Sequence, residues 1–408
     1  MARLRRGLAG GFLVGMVGLA LLFFSGRDIS TLPYYLQSYL GRLRPTAILP
    51  TPPPISAGEQ VVLLQSRPTN TPALPPPTAT EVPAGTATRP PTVSPTATAS
   101  PTPNLVTPSA AQVTLTGFSH AWQTWNNCGP ATMAMALSYY QISVSQAEAA
   151  QFLKPNSNDK NVSPEELAAY AHSLGFEAVV RLNGSLALLQ TLLSNGFPVI
   201  VESWLEPEDR GGLGHYRLLV GYDGNQFIAY DALHGPDLMV DMAEFDGLWR
   251  VFHRKYVVVS RPEQHQQLWQ LVGNEADNWA QALSAAQAEA QTRNDSYAWF
   301  NVGVSYQTLG QAALAAAAFD QARQLGLPYR MLWYQFEPFA AYLGSGRYQE
   351  VIDLASPVLQ DIGGLEELYY YRGLAFRALG EEAKAQADLR AALDYNSNFA
   401  PAGEALEP

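Results

Sequence analysis

The sequence predicts an α+β domain followed by an all-α helical repeat domain, both set behind an N-terminal transmembrane helix and a disordered stalk. Three observations predict this order: an uncharged apolar run at residues 7–24, a Pro/Thr-rich stretch ending near residue 111, and a change near residue 265 from mixed helix-and-strand patterning to continuous helical periodicity. The 408 residues divide into 1–30, 31–111, 112–262 and 265–408, and a hydrophobic content of 47% gives both folded parts material for a core. A net charge of −11, without any long Lys/Arg run, leaves no electrostatic footing for nucleic acid.

The first element is the run GLAGGFLVGMVGLALLFF, which follows Arg3, Arg5 and Arg6. Its length is close to the roughly 20 residues a helix needs to cross a bilayer. The basic flank stays cytoplasmic, so the domains fall on the extracytoplasmic side of a single-pass cell membrane protein. Residues 21–26 (LLFFSG) offer no small-x-small cleavage site, which favours a retained signal anchor, and no cysteine follows the run to take a lipid.

From about Pro45 to Ala110 the composition turns to Pro, Thr, Ala and Ser. Such a segment has too little apolar surface to offset the entropy of ordering, and its prolines favour extended polyproline conformation. At about 3.1 Å per residue it would hold the next domain up to roughly 200 Å from the membrane. The apolar stretch Val61–Leu64 interrupts it for no reason the sequence supplies.

In 112–262, WQTWNNCGPA carries the chain's only cysteine, Cys128, just ahead of the apolar stretch TMAMALSYY. That stretch reads as a buried helix beginning near Gly129, with Pro130 in its first turn. A thiol at a helix N-terminus faces free amide groups and the positive end of the helix dipole, which favour the thiolate. With no second cysteine, an internal disulfide is excluded, and Cys128 is either incidental or reactive.

A reactive thiolate needs a base and a group to orient it. His215 opens the apolar run Tyr216–Tyr222, which the Asp223-Gly224 turn reverses into Gln226–Asp231. His215 and Asp231 then lie near one end of a hairpin, where the carboxylate would fix the imidazole tautomer. Gln123, five residues before the cysteine, is placed to donate its amide to an oxyanion beside the Cys128 N–H. SPEELAAYAHSLGF has Ser163 and Glu166 at capping-box spacing and reads as a helix; a further helix, Ser185–Ser194, leads into a strand, Pro198–Trp204.

WQTWNNCGPA, GHYRLLVGYD and YDAL, in that order, resemble the double-glycine leader peptidases that process bacteriocins and their papain-like cysteine peptidase relatives. The resemblance spans about 112–260. It implies a papain-like α+β fold, a peptide or protein substrate, Cys128 as nucleophile, His215 as general base, Asp231 as its orienting partner and Gln123 as the oxyanion-hole residue. Members that process leaders are typically fused to an export transporter; this chain has no GxxxxGK[ST] phosphate loop and no multi-span region, so the substrate does not carry over with the fold. His234, in the turn LHGPD, reads as a loop residue; His120, His172, His253 and His265 have no partner pattern. No HExxH or paired CxxC spacing points to a metal, and no cofactor is implied.

In 265–408, aligning Gly310, Gly346 and Gly380 gives intervals of 36 and 34 residues. That is the period of a tetratricopeptide array, which the segment resembles. Trp299, Gly303, Tyr306, Ala315, Phe319 and Ala322 fill the interlocking positions of the first unit, and Tyr369, Gly373, Phe376, Ala385 and Ala392 those of the third. The second unit is weak, with Pro338 and Phe339 where small residues are expected. Trp269–Thr292 reads as a half-repeat or cap. The aromatic residues, Tyr334 among them, read as helix-pair core. The array would dock a protein or peptide that nothing in the sequence names. Two alternatives stay open at this point: an amidase or acyltransferase of the same fold acting on cell-wall peptides, or a non-catalytic scaffold acting through the repeats.

Overall fold

The computed structural model describes residues 50–65, 111–206 and 212–407. The apolar run at 7–24 and the linker segment at 66–110 lie outside them. Among the described residues no helix is long and apolar enough to cross a membrane.

Residues 111–260 form a seven-stranded antiparallel sheet with helices on both faces. Its strands are β1 (Gln112–Thr114), β2 (Glu177–Arg181), β3 (Val199–Glu206), β4 (Leu213–Asp223), β5 (Gln226–Asp231), β6 (Gly235–Asp241) and β7 (Tyr256–Ser260), in the order β2-β7-β3-β4-β5-β6, with β1 paired to the far end of β4. Gly224, at a φ of 56°, makes the β4–β5 turn that its Asp-Gly sequence predicts. Gly221 marks a bulge where β1 crosses β4: a Cβ there would stand 2.3 Å from the Val113 carbonyl oxygen, so no larger residue fits.

A short helix, α1 (Ala57–Gln65), precedes the sheet. On one face of the sheet lie α2 (Cys128–Tyr139), α3 (Gln146–Leu153) and α4 (Pro164–Ser173), sharing a core of Met133, Leu137, Leu167, Leu218 and Val257. On the other lie α5 (Leu186–Ser194) and α6 (Met242–Trp249), packed through Leu189, Leu192, Leu219, Phe245 and Trp249. Ser163 and Glu166 close the expected capping box of α4. Ser185 caps α5 by accepting from the Leu188 N–H.

The C-terminal region is helical: α7 (His265–Val272), α8 (Glu275–Arg293), α9 (Ser296–Thr308), α10 (Ala312–Gln324), α11 (Glu337–Gly344), α12 (Tyr348–Asp361), α13 (Glu366–Ala378), α14 (Glu382–Tyr395) and α15 (Ala400–Leu406). Successive helices pack as neighbours, most extensively α9 with α10 and α13 with α14. Gly303 lets the first of these pairs close, since a Cβ at that position would meet the Phe319 ring at 2.6 Å.

Three departures from expectation have local causes. The helical stretch expected over Trp269–Thr292 is two helices, because Gly273 at a φ of 70° ends α7 and Asn274 caps α8. The weak second repeat opens with a 3₁₀ turn, Tyr329–Trp333, before the short α11, whose first turn takes Pro338. The apolar stretch Val61–Leu64 belongs to α1, which lies on α8 and α10 with Leu63 buried. The Leu63 carbonyl accepts from the Tyr306 hydroxyl at 2.5 Å and from Gln287 Nε2 at 2.8 Å.

The two domains share a core, in which Trp204 and Phe252 of the sheet domain pack edge-on to each other and to Tyr334 of the helical domain. Polar contacts extend the junction. His253 Nε2 lies 2.7 Å from Ser305 Oγ, Asn301 donates to the Arg250 carbonyl at 2.8 Å, and the Lys160 N–H donates to the Gly364 carbonyl at 2.7 Å.

Candidate active site

The structure places Gln123, Cys128, His215 and Asp231 around one end of the sheet, with the first three lining a single cleft. Cys128 is the first residue of α2 and half-buried. The approach is a turn in which Asn126 adopts a φ of 49°, a left-handed conformation that asparagine tolerates better than most residues. Asn126 Nδ2 donates to the carbonyls of Asp159 and Lys160 at 3.3 and 3.2 Å, and its own carbonyl accepts from Lys154 Nζ at 2.5 Å. Asn127 donates to Gln146 Oε1, whose amide nitrogen returns to the Trp122 carbonyl at 2.7 Å. The nucleophile's loop is thereby pinned from three sides.

The first N–H groups of a helix have no partner within it, and the first backbone bond of α2 runs from Ala131 to Asn127. Pro130 has no N–H, so the amides of Cys128 and Gly129 are the ones left at this end. Gln123 comes from the extended segment before the turn and is anchored through its N–H to the Ala232 carbonyl at 2.9 Å. Its side chain is buried, and Oε1 has no hydrogen-bond partner.

His215 lies near the start of β4. Its Nε2 is 3.0 Å from Asp231 Oδ1, which leaves Nδ1 as the ring nitrogen for the Cys128 thiol, to which the imidazole is hydrogen-bonded. Asp231 stands opposite Arg217 in the β4–β5 register and reaches His215 on the diagonal. Its Oδ1 also accepts from the N–H groups of Leu233 and His234, at 2.7 and 3.0 Å, and its Oδ2 from Arg217 Nε at 2.8 Å. Arg217 donates onward to Ser203 Oγ at 2.9 Å.

These contacts set the charges. Burial of Asp231 opposes its ionisation, but His215, His234 and Arg217 hold the carboxyl well below its ordinary value. Burial lowers His215, yet the Asp231 charge and hydrogen bond, with Cys128 behind them, raise it to about 9. Burial also opposes the Cys128 thiolate; the His215 hydrogen bond and charge, a Tyr216 backbone contact and the Lys154 charge outweigh it and lower the thiol. A lowered thiol beside a raised imidazole favours passage of the thiol proton to the ring.

His234, expected to be a loop residue, is partly exposed and places Nδ1 3.2 Å from Asp231 Oδ2. It faces the carboxylate oxygen that His215 does not use. His120 Nε2 lies 3.0 Å from the Asp231 carbonyl, and His172, His253 and His265 sit away from the cleft.

Three residues at the site escaped the sequence reading. Arg217 is a lone cation in an apolar run two residues from His215, a strand-period signal that could have exposed it. Glu202 lines the cleft with its carboxyl pushed well above the ordinary range by burial, against the pull of Lys255 and with the Cys128 charge adding to the rise. Tyr334, expected in helix-pair core, crosses from the helical domain to line the same cleft. The Gly214 N–H donates to its hydroxyl, and a Cβ at Gly214 would meet its ring at 2.9 Å. The free volume beside the thiol is about 60 Å³, room for a few water molecules.

Residues 110–257 match the model of the Peptidase_C39 like family, so the stretch carrying these side chains is a C39-like domain. Among solved structures, the chain is similar to a C39-like peptidase from Bacillus anthracis (19% identity, TM-score 0.32, covering 37% of this chain and 98% of that one). It is similar to the peptidase domain of Streptococcus ComA, a bifunctional ABC transporter of a quorum-sensing pathway (20%, TM-score 0.30, 36% and 99%). It is also similar to a double glycine motif protease from an AMS/PCAT transporter in complex with its leader peptide (21%, TM-score 0.28, 37% and 98%). No curated protein sequence matches the chain.

Proposed function

We propose that this chain is a cysteine peptidase that hydrolyses peptide bonds through Cys128, His215 and Asp231. The observation that carries the reading is the half-buried thiol at a helix start, hydrogen-bonded to an imidazole whose far nitrogen is held by a buried carboxylate. In this mechanism the Cys128 thiolate attacks the scissile carbonyl carbon. The oxyanion accepts from the Cys128 N–H and the Gln123 amide, which enters the cleft without a partner for its own oxygen. His215, protonated at Nδ1, gives that proton to the leaving amine, then takes one from the water that releases the acyl group from sulfur. Asp231 holds the ring and its charge throughout.

The C39-like match supports a peptidase, and the cleft geometry supports the assignment of roles. The helical domain is proposed to be a tetratricopeptide-like array that docks a protein or peptide, supported by the antiparallel helix pairs and by glycines at intervals of 36 and 34 residues. The run at 7–24 is proposed to anchor the chain in the cell membrane with both domains extracytoplasmic.

The test is iodoacetamide labelling of the full chain at pH 5.5. Cys128 is expected to react much faster than a free thiol, with the excess lost in His215→Ala. Labelling at the free-thiol rate, unchanged in that variant, would sink the enzyme reading. Comparison of surface peptides released with wild type and with Cys128→Ala then identifies the substrate class.

A further inference from the structure

The junction of the two domains buries a second constellation that the peptidase chemistry does not use. The loop 154–161 and α4 meet the start of α13 there, bringing together Asp159, Glu166, Glu366 and Glu367. Asp159 and Glu366 are 0% exposed and Glu367 is 7% exposed. One oxygen from each of Glu166, Glu366 and Glu367 lies within 4.8 Å of the other two. Lys154, also buried, directs its ammonium to the Asn126 carbonyl, and its charge reaches Asp159 and Glu366 but is not among the charges acting on Glu166 or Glu367.

The hydrogen bonds are incomplete in one direction only. Asn396 Nδ2 donates to Glu166 Oε1 and Glu366 Oε1, at 2.7 and 3.0 Å, and Asn161 Nδ2 donates to Glu367 Oε1 at 2.8 Å. The Asn161 N–H donates to Asp159 Oδ1 at 3.0 Å. The second oxygens, Asp159 Oδ2, Glu366 Oε2 and Glu367 Oε2, are buried without any partner. Uncompensated charge at such depth is costly, so something must sit among them.

Protons alone leave a defect. Asp159 and Glu366 are within hydrogen-bond reach of each other, so one proton shared between them satisfies that pair. A proton on Glu367 Oε2 would become a buried donor with no acceptor. A single cation answers the oxygens of Glu166, Glu366 and Glu367, which lie within 4.8 Å of one another. Its ligands would be carboxylates in a site too closed to keep several waters, which suits Ca²⁺ better than the reluctantly dehydrated Mg²⁺.

We propose that the domain junction holds a calcium ion ligated by Glu166, Glu366 and Glu367, with Asp159 beside it. The ion joins the helical domain to the nucleophile's loop, because the carbonyls of Asp159 and Lys160 hold Asn126, two residues before Cys128. Gly364, where a Cβ would stand 2.1 Å from the Asn158 carbonyl oxygen, shows how closely the two backbones are drawn together at this point. The site is independent of the catalytic reading.

The experiment takes the full chain, stripped with EDTA and dialysed, and titrates it with CaCl₂ by calorimetry and by thermal unfolding. Wild type is expected to take up one Ca²⁺ and to rise in Tm with its concentration, with affinity weakened at least tenfold in Glu366→Gln/Glu367→Gln. Should the double variant fail to fold, Glu367→Gln alone carries the same expectation. No uptake by wild type at millimolar CaCl₂, or uptake unchanged in the variant, overturns the site. So does a wild-type Tm that falls above pH 8 equally with and without CaCl₂, which would assign the junction to protons.

Discussion

Cys128 and His215 are moved from their ordinary values in opposite directions, and this sets the pH range in which the pair is reactive. The thiolate–imidazolium pair exists above the lowered thiol value and below the imidazole value of about 9. Peptidase kcat/KM should therefore rise along an acid limb set below the ordinary thiol value and fall along an alkaline limb near 9, read from a pH–rate profile. Gln123→Ala is expected to lower kcat by about 10²–10³-fold, the usual loss for one oxyanion donor, with circular dichroism unchanged. Arg217→Leu leaves Asp231 buried without its guanidinium partner, and urea unfolding should show a loss of about 3–5 kcal/mol. The four expected site residues were legible because each is a chemically distinct type in a short string with polar or glycine neighbours. Arg217 was equally visible as a charge inside an apolar strand. Glu202 was not, since its place depends on β3 lying beside β4, which sets Glu202 opposite Tyr216.

Helices and strands were readable wherever a local signal ends them. Ser163 with Glu166, Ser185, and Asp223-Gly224 gave boundaries that the backbone obeys within a residue or two. In the second helical unit the periodic alignment put Tyr334 in the core, against which it packs, but could not show the cleft it also lines. There the chain departs from the period into a 3₁₀ turn, and the departure delivers Tyr334 to the cleft. Tyr334→Ala should consequently widen substrate acceptance, seen as KM falling for substrates bulky near the scissile bond while thermal stability drops. Gly303→Ala tests the element itself: with Phe319 2.6 Å away, the α9–α10 pair must part, and Tm should fall by an amount equivalent to about 1–3 kcal/mol.

At the scale of the molecule, the domain junction carries a pH signature of its own. His215 is held at about 9 against an ordinary 6.5, Asp159 at about 9 against 3.8 and Glu166 at about 8 against 4.5; burial drives both acids, and Asp231 drives the imidazole against burial. A group whose value is raised in the folded state stabilises fully below its unfolded value and loses that contribution as pH rises through the folded one. With divalent cations removed, the urea midpoint should decline from about pH 4 to about pH 9, the acids acting from the start and His215 joining above about 6.5. Asp231, held below its ordinary value, works the other way and adds a loss on the acid side below about pH 4.

The docking of α1 changes how the chain can be strung from a membrane. Gln65, at the end of α1, and residue 111 both belong to the folded body, so the distance from the membrane is counted to residue 50 and not to residue 111. Under the proposed anchor, about 25 residues separate the apolar run from Pro50, the first described residue. Even fully drawn out at about 3.4 Å per residue they span no more than roughly 85 Å, well under half of what the whole linker would offer. A cut between residues 66 and 110 would leave α1 held to the helical domain through Tyr306 and Gln287.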